Sequence, residues 1–199
     1  MGVERGYMRY NPETHHRKNI RLKYYDYSNE GMYFITICTQ NRKEILGKII
    51  YNRNKLLTSV GAGLVPAQIK NTNFGNTVEK RYLEIEEKYQ NIKLHDYIIM
   101  PNHLHGIIEI CDVQFWAGIK PAPTVSIADV IRDFKSLTTL EYTKCVKNGI
   151  YKPFDKRIWQ RNYYEHVIRN EKEYYKIVEY IRNNPLKWEE DKYFIEEGE

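Results

Sequence analysis

Two apolar, β-branched runs, Leu94 to Met100 and His105 to Ile110, lie on either side of Pro101-Asn102, and this pairing constrains the fold more than any other feature. Runs of that composition read as strands, and the Pro-Asn step between them reads as the turn of a hairpin. Tyr33-Phe34-Ile35-Thr36-Ile37-Cys38 reads as a further buried strand. Gly47 to Leu57 reads as a short hairpin turning at Asn52-Arg53-Asn54, and the Gly, Asn and Pro-rich stretch Gly61 to Asn76 as loop. Thr77 to Tyr89 places Val78, Tyr82, Ile85 and Tyr89 on one helical face. Ser126, with Asp129 three residues on, opens a helix that runs to Lys147. Trp159 to Ile168 reads as a strand, and Asn170 with Glu173 caps a last helix that must stop near Asn184-Pro185. The order strand, helix, strand, strand, helix, strand, helix predicts an α+β, ferredoxin-like sandwich: an antiparallel sheet with helices packed mainly on one face.

A chain of 199 residues is long enough for one core without staples. Its three cysteines, Cys38, Cys111 and Cys145, form no C-x-x-C pair, which argues against a disulfide framework or zinc ribbon. No apolar run is long enough to span a bilayer, and the first residues lack the apolar core of a signal peptide, so a cytoplasmic protein is expected. The net charge of +5 is unevenly spread. Residues 189–199 hold six acids, leaving 30 bases against 20 acids elsewhere. The expected organisation is a basic arm (1–25), one domain (26–188) with loop excursions near 58–76 and 111–125, and an acidic tail (189–199). The arm carries Arg5, Arg9, Arg17, Lys18, Arg21 and Lys23 among tyrosines, a mixture suited to phosphates and unpaired bases. Arg132 and Lys135 add a further basic stretch on the long helix, facing either nucleic acid or water.

The sharpest local signal is His103-Leu104-His105. In an extended segment residues i and i+2 share a face, so both imidazoles converge while Leu104 points away. Two strand ligands for a metal, or two half-exposed histidines, both fit this pattern. On the last helix Tyr174, Ile177, Val178 and Ile181 form an apolar face, and Tyr180 and Asn184 fall together on its flank. A nucleophile beside an amide ligand, or a peripheral aromatic beside a helix cap, are the two readings.

Three segments then resemble one family: Tyr97-Ile-Ile-Met-Pro-Asn-His-Leu-His-Gly-Ile-Ile108, Trp159-Gln-Arg-Asn-Tyr-Tyr-Glu-His-Val-Ile-Arg-Asn170 and Tyr180-Ile-Arg-Asn-Asn-Pro185. In order and spacing they resemble the REP-associated tyrosine transposases, relatives of the insertion-sequence transposases marked by a histidine, hydrophobic residue, histidine motif and one catalytic tyrosine. The resemblance covers roughly Tyr24 to Trp188. It implies His103 and His105 as metal ligands, Asn184 as the third, and Tyr180 as the nucleophile. It further implies a divalent ion, Mg2+ or Mn2+, and cleavage and rejoining of single-stranded DNA, at hairpin-forming repeats, through a 5′-phosphotyrosine. Tyr174, Tyr175, Tyr163 and Tyr164 are read as packing or surface residues, His95 as surface, and His166 has no assigned role. A monomer is expected over a dimer. The alternatives are a non-catalytic ferredoxin-like nucleic-acid binder and a small replication-initiator or relaxase-type nickase.

Overall fold

The computed structural model describes residues 29–51, 67–111 and 125–195. The basic arm, with Arg5, Arg9, Arg17, Lys18, Arg21 and Lys23, lies outside the described residues, as do the Asn52-Arg53-Asn54 turn and most of the 111–125 excursion. The main sheet contains β1 (Gly31–Cys38), β4 (Ile92–Ile99), β5 (His103–Ile110) and β6 (Tyr164–Ile168), in the order β4-β5-β1-β6. Every neighbouring pair is antiparallel. With helices α1 (Asn73–Lys88) and α2 (Ile127–Lys147) as the crossovers, this is the βαββαβ ferredoxin-like arrangement expected from the element order.

Strand alternation divides the sheet into two functional faces. Tyr33, Ile35 and Ile37 of β1 and Leu104, Ile108 and Ile110 of β5 point to one side. There they meet Val78, Tyr82 and Ile85 of α1, and Val130, Ile131 and Phe134 of α2. Each fully buried aliphatic side chain contributes about 1.5–3 kcal/mol of hydrophobic stabilisation, so this is the core that sets the fold. The other side carries Phe34 and Ile107, covered by Val178 and Ile181 of a third helix, α3 (Glu171–Asn183). Asn170 caps α3 by accepting from the Glu173 amide. Two helices thus share one face, and the terminal helix covers the other.

Of the stretch Gly61 to Asn76 read as loop, residues 61–66 lie outside the described residues, and the structure corrects the reading from Ala67 onward. Strand β2 (Gly47–Tyr51) pairs not within Gly47 to Leu57 but with β3 (Ala67–Asn71). Helix α1 begins at Asn73, its N-cap Thr72 accepting from the Gly75 amide at 3.0 Å. Buried Phe74 then outweighs the poor helix propensity of the surrounding asparagines and glycine. Strand β6 begins only at Tyr164, while Trp159 makes an isolated bridge to Thr39. Residues 191–194, expected in a separate acidic tail, are also part of the folded unit, with Phe194 packing edge-on against buried Trp188 at 5.4 Å.

Gly106 is required by close packing: a Cβ there would lie 2.2 Å from the Tyr82 hydroxyl. That hydroxyl is enclosed and has no hydrogen-bond partner among the described residues. An orphaned buried polar group costs about 1–3 kcal/mol. Tyr82→Phe is therefore expected to raise unfolding free energy by about 1 kcal/mol, read by urea titration, and a loss of stability would contradict this packing account.

Candidate metal and tyrosine site

On the α3 side of the sheet, β5 presents His103 and His105, at 0% and 1% exposure, while Leu104 enters the main core. The register pairs Cys38 with His103 and Thr36 with His105, so β1 supplies the neighbouring groups. Asn102 fixes the His103 ring. Its Nδ2 donates to the carbonyls of Arg42 (3.1 Å) and Tyr193 (2.9 Å), which turns its Oδ1 toward His103 Nδ1 at 2.8 Å. An amide oxygen can only accept, so Nδ1 carries the proton and Nε2 keeps its lone pair. That Nε2 is buried with no partner among the described residues. His105 Nδ1 faces Thr36 Oγ1 at 2.8 Å, and its Nε2 faces α3.

Both imidazoles are held neutral, the form that binds a metal. Burial pushes His103 down to about 3, helped by the positive charges of Lys192 and Arg42. Burial also lowers His105 well below its ordinary range, with His103 the next cause.

The last turns of α3 bring Tyr180 and Asn184 to this face. The Tyr180 hydroxyl lies 3.2 Å from His105 Nε2 and 3.4 Å from Asp191 Oδ2. Its ring meets His105 at 5.2 Å and Phe34 edge-on at 6.1 Å. Burial, then the negative charge of Asp191, pushes the Tyr180 phenol above its ordinary range, so the hydroxyl keeps its proton at neutral pH. Asn184 is 3% exposed and in right-handed helical conformation, leading into a 3-10 segment, Asn184–Glu190. Its Nδ2 donates to Asp191 Oδ2 at 2.8 Å, whereas its buried Oδ1 has no partner among the described residues.

Two enclosed acceptor atoms, His103 Nε2 and Asn184 Oδ1, are thus left without donors. Asp191 adds a carboxylate, with ligand atoms of His103, His105 and Asp191 all within 4.8 Å of one another. Imidazole nitrogens, an amide oxygen and a carboxylate are all lone-pair donors, and a divalent cation satisfies such a set where protein groups do not.

Asp191 and Tyr193 are the site residues that the sequence did not reveal. The Tyr193 ring covers His103 at 4.6 Å and His105 at 5.7 Å, and its amide donates to Asp191 Oδ1 at 2.7 Å. Arg42 ties this segment down by donating to the Lys192 carbonyl at 2.8 Å and lying 5.5 Å from the Tyr193 ring centre.

Other candidates fall elsewhere. The Lys135 ammonium is committed to the carbonyls of Gln160 (3.0 Å), Asn162 (3.2 Å) and Arg161 (3.5 Å), which removes it from a phosphate-facing role. Burial pushes it down to about 8. Arg132 is exposed but sits with Asp129 and Asp133 on α2, on the side of the sheet opposite the histidines. His95 is not a free surface residue: it lies within β4 and bridges Tyr174 (3.2 Å) and Glu109 (2.7 Å). His166 holds Glu173, whose other oxygen accepts the Arg169 amide, and so braces the start of α3.

No family model matches the chain. An uncharacterized protein of Haemophilus influenzae is 38% identical over 199 residues, spanning 94% of this chain and 98% of its own. Among solved structures, a REP-associated tyrosine transposase bound to a REP hairpin superposes with a TM-score of 0.51 at 20% identity, covering 84% of this chain and 74% of that one. That likeness is one of fold. The chain belongs to one family with the Haemophilus influenzae protein, and its fold is that of the REP-associated tyrosine transposases.

Proposed function

We propose that this chain is a metal-dependent transposase-type enzyme that nicks and rejoins single-stranded DNA through Tyr180. The observation that carries the reading is the Tyr180 hydroxyl 3.2 Å from His105 Nε2, beside two orphaned buried acceptors, His103 Nε2 and Asn184 Oδ1. A divalent ion, Mg2+ or Mn2+, held by His103, His105, Asn184 and Asp191 would supply positive charge to a non-bridging oxygen of the scissile phosphate.

The protein groups define the rest of the reaction. Tyr180 Oη forms a bond to phosphorus as the bond from phosphorus to the 3′ oxygen breaks. The phenolic proton has Asp191 Oδ2 as its acceptor, and the departing 3′ oxygen takes a proton from solvent. The products are a 5′-phosphotyrosine and a 3′-hydroxyl. Attack by another 3′-hydroxyl reverses the step without ATP. Since Tyr180 reaches the histidines of its own chain, a monomer contains the full set. A groove of about 600 Å³ runs beside Tyr180, with Phe34 and Tyr164 for bases and Lys176, Lys187 and Lys192 for phosphates, interspersed with Glu179 and Glu190. Hairpin-forming DNA is the substrate class that the solved structural neighbour's own complex favours. The site of action is the cytoplasm.

The test is incubation with a labelled single-stranded hairpin and Mg2+ or Mn2+, which should give a denaturant-resistant protein–DNA adduct. Equal cleavage of duplex DNA, or no adduct with either ion, would overturn the reading. Asn102→Ala should weaken Mn2+ binding by about 10–100-fold in a direct titration, because it releases the His103 ring from its fixed tautomer. Unchanged affinity would contradict that role.

A further inference from the structure

A second cavity, of about 440 Å³, opens beyond the end of β1 and has no part in the chemistry above. Its walls include three half-buried rings. Tyr142 and Tyr151 lie 4.8 Å apart at 40°, and Phe154 meets Tyr142 edge-on at 5.7 Å. Its rim carries Lys43, Lys152 and Arg157 against Asp155 alone. All three cations are exposed, and none forms an ion pair among the described residues.

The 3-10 turn Gln40–Arg42 contributes Gln40 and Asn41 to this cavity, while its Arg42 contacts Lys192 and Tyr193 beside the histidines. Asn41 and Arg42 both have left-handed backbone, at φ 56 and 53, a conformation that costs energy in non-glycine residues and collects at functional sites. The result is a sharp reversal. Arg42 points to the strap over the histidines, while Gln40, Asn41 and Lys43 line the cavity.

We propose that this cavity binds one unpaired base of the single strand that enters the Tyr180 site, stacked on Tyr151 and Phe154, with the adjoining phosphates held by Lys152 and Arg157. The proposal rests on the single-strand DNA reading given above. Aromatic faces within a cationic rim are the combination that recognises an unpaired nucleotide, since every base has a π-face and every linkage a negative charge. Duplex DNA, with its bases stacked inside, cannot fill the cavity. The subsite therefore gives the enzyme a means to select unpaired DNA and to set the register of the cleaved strand.

The experiment uses the full chain and two DNA hairpins, one with a single-stranded tail carrying 2-aminopurine at successive positions and one without a tail. In the wild-type protein, fluorescence should be quenched at one tail position, and Tyr151→Leu should remove that quench. Lys152→Ala/Arg157→Ala changes only exposed side chains. It should bind the tailed hairpin about tenfold more weakly at 0.1 M salt and the tailless hairpin as wild type does. A quench that persists in Tyr151→Leu, no localised quench, or undiminished binding of the tailed hairpin by the double variant would overturn the proposal while leaving the Tyr180 adduct intact. Failure of the wild-type chain to bind either DNA would overturn both this proposal and the reading beneath it.

Discussion

Tyr180→Phe is expected to reduce formation of the covalent protein–DNA adduct by at least about 10⁴-fold, because removing the proposed nucleophile removes the covalent route itself. The fold should hardly notice. The ring stays in place against His105 and Phe34, and the hydrogen bonds lost, among them those of 3.2 Å to His105 and 3.4 Å to Asp191, are long ones from a side chain that is 40% exposed. The stability change should be within about 1 kcal/mol. Mn2+ binding should persist, because the hydroxyl is not among the proposed ligands. Burial and Asp191 hold the Tyr180 phenol above its ordinary range, so residual wild-type reaction without added metal should be slow at neutral pH and rise as pH increases. Adduct formation in Tyr180→Phe at wild-type rate, followed on denaturing gels, would show that another group attacks.

Gly75→Ala should cost about 3 kcal/mol or more in urea unfolding, a larger loss than most single replacements. Alanine is the better helix former by about 1 kcal/mol, so propensity alone predicts the opposite sign. The difference is steric. A Cβ at Gly75 would lie 1.9 Å from the Leu46 carbonyl oxygen, a main-chain atom that cannot rotate away. That oxygen also accepts the Thr72 amide at 2.9 Å, which fixes the start of α1. Leu46 in turn donates its amide to the Pro101 carbonyl at 2.9 Å, one residue from the Asn102 that orients His103. Disturbance at Gly75 is therefore expected to loosen the histidine pair as well as the helix, seen as weaker Mn2+ binding in whatever fraction remains folded. Wild-type stability in Gly75→Ala would contradict the close approach.

Features with a short-range cause were legible in the sequence. Strand alternation placed His103 and His105 on one face and Leu104 on the other, and helical spacing placed Tyr180 beside Asn184. The β4–β5 hairpin was visible because its strands are adjacent in sequence. The β2–β3 pair was not, because the partner of Gly47–Tyr51, Ala67–Asn71, lies far from it in sequence. The start of α1 was obscured by Asn73, Gly75 and Asn76, residues that favour turns until Phe74 is buried and Gly75 meets Leu46. Asp191 and Tyr193 follow an irregular 3-10 segment, so no periodicity ties them to the histidines, and they read as part of an acidic tail. Lys135 is the converse case. On a basic helix it could face nucleic acid or water, and nothing in the sequence signals the cluster of backbone carbonyls that holds its ammonium.

Tyr180, positioned by α3 beside the His103–His105–Asn184–Asp191 acceptor cluster, is the proposed oxygen donor to phosphorus. The most direct measurement is mass spectrometry of protease-digested adduct formed with a single-stranded hairpin and Mn2+. One modified peptide is expected, with the 5′-phosphate of the cleaved strand attached at Tyr180. A nucleotide found on Tyr193, the other tyrosine packed against the histidines, or a 3′-linked phosphate, would contradict it.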